Sequence, residues 1–326
     1  MRIVSLFSGC GGMDSGFITA GHEIVWANDI FHDAAETYRL NIGPHITETS
    51  ILDVDRNSIP AADVVIGGFP CQGFSVANTK RYITDDRNVL YLQMLDVIRT
   101  VRPLYAVAEN VKGILSLGKG DVFRMILHDF EAYGYHTKYA VLNAADYGVP
   151  QLRYRVFIVA WRHDAPKPEL FPPPQTHTQY PDQGLFPLMP WVSIDEALAG
   201  LGEPDGRVDS AHTCSNYKLR FNGYLGHRAV LGNRPSPTIT ARGDDRGGVV
   251  VIHHPSNKRR MTARELAIIQ GFPRDYRFAG TRTSIYRQVA NAVPPGLARA
   301  VASTLPGHIR GKNTDDYTSA KAIPKL

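Results

Sequence analysis

Along the first 160 residues, short apolar runs alternate with amphipathic stretches, and glycines separate several of them. Arg2–Phe7 reads as a buried strand that Gly9–Gly12 breaks. Met13–Ala20 then behaves as a helix, and Glu23–Ala27 returns as a second strand. Strand, glycine turn, helix, strand opens a doubly wound α/β sheet. The alternation continues with a strand at Asp63–Ile66, a helix at Val89–Thr100, a strand at Leu104–Ala108, a helix at Val122–Tyr133 and a strand at Arg155–Ala160. That order predicts a parallel-rich sheet with helices on both faces.

The pattern changes at Pro166–Pro190, where eight prolines exclude regular structure over most of the span. A domain boundary is expected there, so that 1–165 forms the large α/β domain. A short helix near Ser193–Leu201 precedes Gly-rich, strand-like pieces, clearest at Thr238–Ala241 and Gly248–Ile252. They predict a smaller β-rich module over 166–282. Helical patterns resume at Thr262–Gln270 and Tyr286–Thr304, and 283–305 is assigned to a C-terminal helix. The tail, 306–326, is polar, basic and expected to be loosely ordered.

Composition narrows the class. The chain has 326 residues, 43% hydrophobic and 21% charged, as in soluble globular proteins. No apolar run approaches the roughly 20 residues of a membrane helix, and Ile3–Phe7 is too short for a signal peptide. Three cysteines, Cys10, Cys71 and Cys214, form no CxxC pair, so neither a disulfide scaffold nor a zinc ribbon is expected. A soluble intracellular protein with reduced thiols follows. The net charge of +5 is uneven: Asp205–Arg287 carries fifteen Lys and Arg against six Asp and Glu, a surplus of nine, and the remainder carries 21 against 25. That excess, with Tyr217, Phe221 and Tyr224 interleaved, suits a polyanion.

The chemistry-bearing residues fall at predicted strand ends. FSGCGG, Phe7–Gly12, follows the first strand, where open α/β sheets bind nucleotides. The third glycine of the dinucleotide fingerprint would fall on Asp14, so a pyrophosphate is not the expected ligand. Asp29, twenty residues after Gly9, ends the second strand where ribose hydroxyls would be bound. This combination fits an adenosine cofactor without a pyrophosphate. GGFPCQGFS, Gly67–Ser75, places Cys71 at another strand end, between glycines that permit close approach of a ligand. AENVKG adds Glu109, which can act as a general acid toward a ring nitrogen if burial raises its pKa. QLRYR puts Arg153 and Arg155 on one face of a strand.

These motifs, in this order, resemble the cytosine-C5 DNA methyltransferases over about Met1–Leu305. FSGCGG resembles that family's S-adenosylmethionine turn and Pro70-Cys71-Gln72 its catalytic loop. Glu109-Asn110-Val111, Gln151-x-Arg153-x-Arg155, RPSPTIT at Arg234–Thr240 and RQVANAVP at Arg287–Pro294 are similar to four further signatures. The resemblance implies a Rossmann-like S-adenosylmethionine-dependent methyltransferase domain. The smaller target-recognition domain is then an insertion before a C-terminal helix that returns to the catalytic domain.

The same resemblance implies a mechanism. Cys71 would add to cytosine C6 while Glu109 hydrogen-bonds or protonates N3, so that C5 accepts the methyl group and loss of its proton expels Cys71. Arg155 would contact the base O2, and Arg153 would support the site. The target base must leave the duplex to be reached, and Gly73–Arg87 is expected to form a loop that closes over it. Implied cofactor contacts are Phe7, Gly9, Cys10, Gly11, Gly12, Asp29, Ile30, Ile51, Pro70, Leu90 and Asn291, with no metal. Two positions depart from the family pattern: Ile30 stands where an aromatic residue is common, and Ser50 where an acid is, with Asp53 nearby.

Double-stranded DNA is the implied partner. Gln72, Ser75, Arg220, Arg228 and Arg242 are the candidate contacts, with His227, Arg246 and the run Lys258-Arg259-Arg260 also in the basic region. A monomer is expected, cytoplasmic in a prokaryote or encoded by a phage, either in a restriction–modification system or solitary. The alternatives are an RNA (tRNA) cytosine-C5 methyltransferase of the same fold and a catalytically silent DNA-binding homologue. A small-molecule methyltransferase would leave the basic module without a purpose.

Overall fold

The computed structural model describes residues 1–70, 89–181, 187–214, 219–222, 228–241, 249–250 and 252–306. Seven strands form the main sheet: β1 (Arg2–Leu6), β2 (Glu23–Asp29), β3 (Ile46–Glu48), β4 (Val64–Gly67), β5 (Tyr105–Val111), β6 (Tyr135–Asn143) and β7 (Tyr154–Arg162). Their order is β3-β2-β1-β4-β5-β7-β6. β1 pairs in parallel with β2 and β4, and β4 with β5, whereas β7 runs antiparallel to both β5 and β6. The topology reverses between β1 and β4, so the cleft beyond their carboxyl ends lies between the glycine turn and the Gly67–Pro70 segment.

Helices α1 (Gly12–Thr19), α2 (His32–Asn41), α3 (Val89–Val101) and α4 (Asp121–Ala132) follow the strands, as do the later α5 (Ile194–Leu198), α6 (Ala263–Gln270), α7 (Arg282–Asn291) and α8 (Pro295–Ala302). Alternate residues of each strand feed two cores. Ile3, Val107, Phe157 and Val159 pack with Met13 and Phe17 of α1 and Leu297 and Val301 of α8. Val4, Ala106, Val156 and Ile158 pack against Met94 and Ile98 of α3 and Ile126 and Phe130 of α4. That is the two-sided burial of a doubly wound sheet. Among the described residues no helix is long and apolar enough to cross a membrane.

The expected helix over Tyr286–Thr304 is two helices. α7 ends at Asn291, Ala292 turns extended, and α8 starts again with Pro295 in its first turn. Pro294 and Pro295 supply no N–H and disfavour a helical residue before them, so one continuous helix cannot pass. Of the smaller module's expected β character, the described residues carry two ladders of two residue pairs each: β8 (His177–Thr178) with β9 (Met189–Pro190), and β10 (Thr240–Ala241) with β11 (Val249–Val250). Its core is otherwise built by helices. Ile194 of α5, Leu266 and Ile269 of α6, and Ile285 and Val289 of α7 surround Ile239, Ile252 and Met261. Cys10, from the glycine turn, is buried in this same third core.

The α1–α8 contact depends on a glycine. A Cβ on Gly16 would lie 2.5 Å from the Pro295 carbonyl oxygen and 2.6 Å from the Ala298 Cβ. Alanine is favoured over glycine in a helix by about 1 kcal/mol, whereas overpacking costs about 1–3 kcal/mol. Because the opposing atom is backbone and cannot swing away, overpacking wins. Gly16→Ala is expected to lower the urea midpoint of unfolding, and an unchanged or raised midpoint would refute the close packing.

Candidate active site

Each side chain of the site projects from the carboxyl edge of the sheet or the turn beyond it. β1 is followed by Phe7, whose backbone is left-handed at φ 54°, and then by Gly9 and Gly11 at φ 55° and 86°. This succession reverses the chain tightly into α1. A Cβ on Gly9 would meet nothing within 4 Å, so the turn opens toward the cleft there. Gly11 and Gly12 face inward instead: a Cβ on Gly12 would sit 2.5 Å from the Val293 carbonyl oxygen.

Asp29, at the end of β2, closes the turn. Its Oδ2 accepts the Gly9 N–H at 2.8 Å and its Oδ1 accepts the Phe31 N–H at 2.9 Å. Burial raises the Asp29 pKa, and the two backbone N–H groups oppose that rise. Two ionised carboxylate oxygens offer about four acceptor sites, so both can still accept ribose hydroxyls. Ile30 beside it is 61% exposed, as befits a side chain available to cover a flat ligand. Ile51 is buried in the core that Phe7 and Leu90 flank. Ser50 accepts the Leu52 N–H, and Asp53 is exposed on the same turn.

Cys10 is held away from chemistry. Its carbonyl accepts the Tyr276 hydroxyl at 2.6 Å, and its thiol donates to the Gln288 carbonyl. Burial, with Asp29 next in effect, pushes the thiol pKa up to about 12. The Cys10 side chain therefore pins the turn to the third core; only its backbone remains for a ligand.

Beneath the turn, Asp14 is fully buried and accepts from Ser5 Oγ at 2.7 Å and Tyr38 OH at 2.8 Å. Burial lifts its pKa to about 6 against those two donors. The pair explains why an acid can occupy a position where the dinucleotide fingerprint has glycine: it braces β1, α1 and α2 rather than facing the cleft.

At the other side of the cleft, Glu109 on β5 lies opposite Phe157, so Arg155 is its diagonal neighbour on the same face of β7. Arg155 Nε sits 2.9 Å from Glu109 Oε1, with both side chains nearly buried. Gly68 closes over the second oxygen, since a Cβ there would be 3.1 Å from Glu109 Oε2. Burial raises the Glu109 pKa, and the charges of Arg155 and then Arg153 restrain that rise. The arrangement holds a carboxyl group whose proton is retained to higher pH than on an exposed glutamate, with its orientation fixed by a cation.

Asn110, adjacent to Glu109, donates from Nδ2 to the Phe69 carbonyl at 2.9 Å. This bond ties the segment entering Pro70 to the end of β5. Pro70 itself is exposed at the cleft. Cys71, Gln72, Ser75 and Arg242, with the Gly73–Arg87 stretch, His227 and Arg246, lie outside the described residues.

Arg153 is elsewhere than Arg155. It is 2% exposed, and its guanidinium donates to the Ile239, Ala290 and Ala292 carbonyls at 2.8, 2.8 and 3.1 Å. Burial, then Arg155, works against its charge, and Glu109 opposes them. Its contacts are structural, linking β7 to the smaller module and to both residues flanking Asn291. Asn291 is exposed at the end of α7.

The basic surplus also divides. Arg220 and Arg228 are exposed. Arg259, from the basic run, is committed instead: it pairs in bidentate fashion with buried Glu265 at 2.7 and 2.8 Å. Arg264 likewise pairs with Asp209 at 2.6 Å. Part of the positive charge read from the sequence therefore stabilises the module internally and is not presented to a polyanion.

Sequence reasoning passed over Gln270 and Tyr276, and it named Asn110 in a signature without assigning its bond to Phe69. Gln270 had a signal, a glutamine ending an otherwise apolar helical turn before Gly271; Tyr276 had none.

Comparison with known proteins places this arrangement. The family described as C-5 cytosine-specific DNA methylase matches residues 1–194 and 205–306. The chain is 38% identical to the Type II methyltransferase M.NgoFVII of Neisseria gonorrhoeae, over 94% of this chain and 86% of that protein. It is 36% identical to M.BspRI of Lysinibacillus sphaericus, over 93% and 81%. Among solved structures, the Dnmt2 methyltransferase of S. pombe covers 95% of this chain and 100% of its own at a TM-score of 0.68 and 22% identity. The EhMeth methyltransferase of Entamoeba histolytica covers 95% and 99% at 0.70 and 16%; both support the fold. With its motif order, its glycine turn and its Glu109–Arg155 pair set on one sheet edge, the chain belongs to the C-5 cytosine-specific DNA methylase family.

Proposed function

We propose that this protein transfers a methyl group from S-adenosylmethionine to C5 of a flipped-out cytosine in duplex DNA, with Cys71 as nucleophile. The observation that carries the reading is the Glu109 clamp. A buried carboxyl group oriented by Arg155 and covered by Gly68 stands one residue from Asn110, which anchors the backbone leading into Pro70-Cys71.

The residues around the glycine turn fit the cofactor. Gly9 opens on the cleft, Asp29 keeps acceptor sites for ribose hydroxyls, and exposed Ile30 with Ile51, Phe7 and Leu90 offers apolar cover for adenine. Pro70 and Asn291 border the methionine end in this reading. S-adenosylmethionine, when bound, supplies the electrophilic methyl carbon. Everything else falls to the chain. The Cys71 thiolate forms a bond to C6, and the electron pair displaced from the C5–C6 double bond is delocalised toward N3, where Glu109 provides the proton. Arg155, already on Glu109, contacts O2 in this reading. As C5 takes the methyl carbon, N3 returns its proton to Glu109; the C5 proton then passes to solvent, the C5–C6 double bond re-forms and Cys71 departs as thiolate. Arg153 acts through the carbonyls it holds and through its charge beside Glu109.

The DNA-facing role of Gln72, Ser75, Arg220, Arg228 and Arg242 is part of the same proposal, as is action in the cytoplasm as a monomer. The relatives' Type II names favour a restriction–modification methylase. The test is incubation with labelled S-adenosylmethionine and unmethylated duplex DNA of broad sequence coverage, followed by bisulfite sequencing. Protected cytosines in one sequence context are expected. Labelled tRNA with unlabelled DNA would overturn the choice of substrate, and no label on either would overturn the activity.

A further inference from the structure

Behind the catalytic face runs a chain of buried amides that the reaction does not use. The Ile239 N–H donates to Gln151 Oε1 at 3.0 Å, Gln151 Nε2 donates to Gln270 Oε1 at 2.6 Å, and Gln270 Nε2 donates to the Ala292 carbonyl at 2.5 Å. Both glutamines are completely buried. The two ends fix the direction of every bond, because a backbone N–H can only donate and a carbonyl can only accept. Neither amide can flip without opposing two acceptors or two donors.

The relay joins two places that matter. At one end, residues 236–239 lie along 150–153: the Leu152 N–H donates to the Ser236 carbonyl, the Ser236 N–H donates to the Pro150 carbonyl, and Thr238 Oγ1 donates to the Leu152 carbonyl at 2.6 Å. The next residues are β10, which enters the basic part of the smaller module. At the other end, Ala292 adjoins Asn291, and Arg153 holds the carbonyls of both its neighbours. Gln270, at the last turn of α6, is the middle link of this amide route, and Arg153 spans the same two ends separately through the Ile239 and Ala292 carbonyls.

We propose that Gln270 is a positioning residue that sets Asn291 for the cofactor and the 236–241 segment for DNA in one register. The inference rests on the reading of those two segments as cofactor-side and target-side. A buried donor or acceptor left unpaired is costly, so each end of the amide has a separate consequence. Gln270→Met removes both. Gln270→Glu keeps the acceptor toward Gln151 but turns a second acceptor toward the Ala292 carbonyl, and protonation of that carboxyl group would restore the donor.

The experiment measures S-adenosylhomocysteine Kd by calorimetry and duplex-DNA Kd by fluorescence anisotropy, for wild type and both variants, at pH 6 and pH 8. Gln270→Met is expected to weaken both ligands about tenfold. Gln270→Glu is expected to weaken S-adenosylhomocysteine about tenfold at pH 8, recover toward wild type at pH 6, and leave DNA affinity within twofold. A pH-independent loss of both ligands in Gln270→Glu would mark a merely structural role and overturn the proposal, as would wild-type affinities in a folded Gln270→Met. Wild-type protein that binds S-adenosylhomocysteine but not DNA would overturn the target-side reading itself, a failure recognisable without the variants.

Discussion

Cys71→Ser is expected to lower kcat by at least about a thousandfold while changing duplex-DNA affinity by no more than a few-fold. A serine hydroxyl is a much weaker nucleophile than a thiolate and needs an adjacent base to activate it. Glu109 is engaged by Arg155 and, in the proposed mechanism, serves N3 as an acid, not a base. A thousandfold loss corresponds to about 4 kcal/mol of transition-state stabilisation, more than any single positioning contact at this edge supplies. Phe69 and Pro70 keep their anchorage through Asn110 whatever side chain follows them, so cleft geometry and DNA binding survive the change. Single-turnover kinetics with labelled S-adenosylmethionine give the rate, and anisotropy gives the affinity. A duplex carrying 5-fluorocytosine in the target site provides an independent readout. Fluorine cannot leave as a proton does, so the wild type accumulates an adduct stable on a denaturing gel and mapping to Cys71, and Cys71→Ser forms none. Residual turnover near the wild-type rate, or an adduct on another residue, would remove Cys71 from the mechanism.

The legibility of this protein followed how local each determinant was. Strands buried on both faces, such as Ile3–Leu6 and Val64–Gly67, are mostly apolar runs and announce themselves. β6 does not, because as an edge strand it exposes His136, Tyr139 and Val141 and reads as neither alternating nor apolar. α2 was equally silent: only Ala34, Ala35, Thr37 and Tyr38 are buried along its length. The glycine turn, Glu109 and the two arginines were readable because each motif sits at a strand end where side-chain direction is fixed by two-residue periodicity. What that periodicity could not distinguish was the fate of two arginines on one face. Arg155 reaches a carboxylate and Arg153 reaches three carbonyls, and the carbonyls come from residues 86 to 139 positions away in sequence. Arg259 illustrates the same limit. Its partner Glu265 is six residues along but faces it only because Thr262 starts α6 with a capping box that turns that glutamate inward.

Glu109→Gln is expected to lower kcat by about a hundredfold to ten-thousandfold, the range over which a positioned proton donor acts, with KM for S-adenosylmethionine unchanged. Glutamine preserves the shape and can still accept from Arg155 Nε, so the clamp under Gly68 should persist and the loss should fall on proton transfer to N3 alone. The pH dependence separates this from simple misplacement. Burial raises the Glu109 pKa in the native protein despite the opposing charges of Arg155 and Arg153. The protonated, donating form is therefore retained as pH climbs past the ordinary glutamate range, and it is lost as pH passes through the raised value. Wild-type kcat should carry a descending limb from this ionisation, and the glutamine variant, having no proton to lose, should lack it. The same shift bears on folding: a native group that binds its proton more tightly than the unfolded chain adds stability as pH falls through the raised value, and the gain levels off below the unfolded one. Glu109→Gln should flatten that part of the stability profile too. A variant that keeps both the wild-type kcat and the descending limb would show that Glu109 does not deliver the proton, and would leave Arg155 as the group to which the base responds.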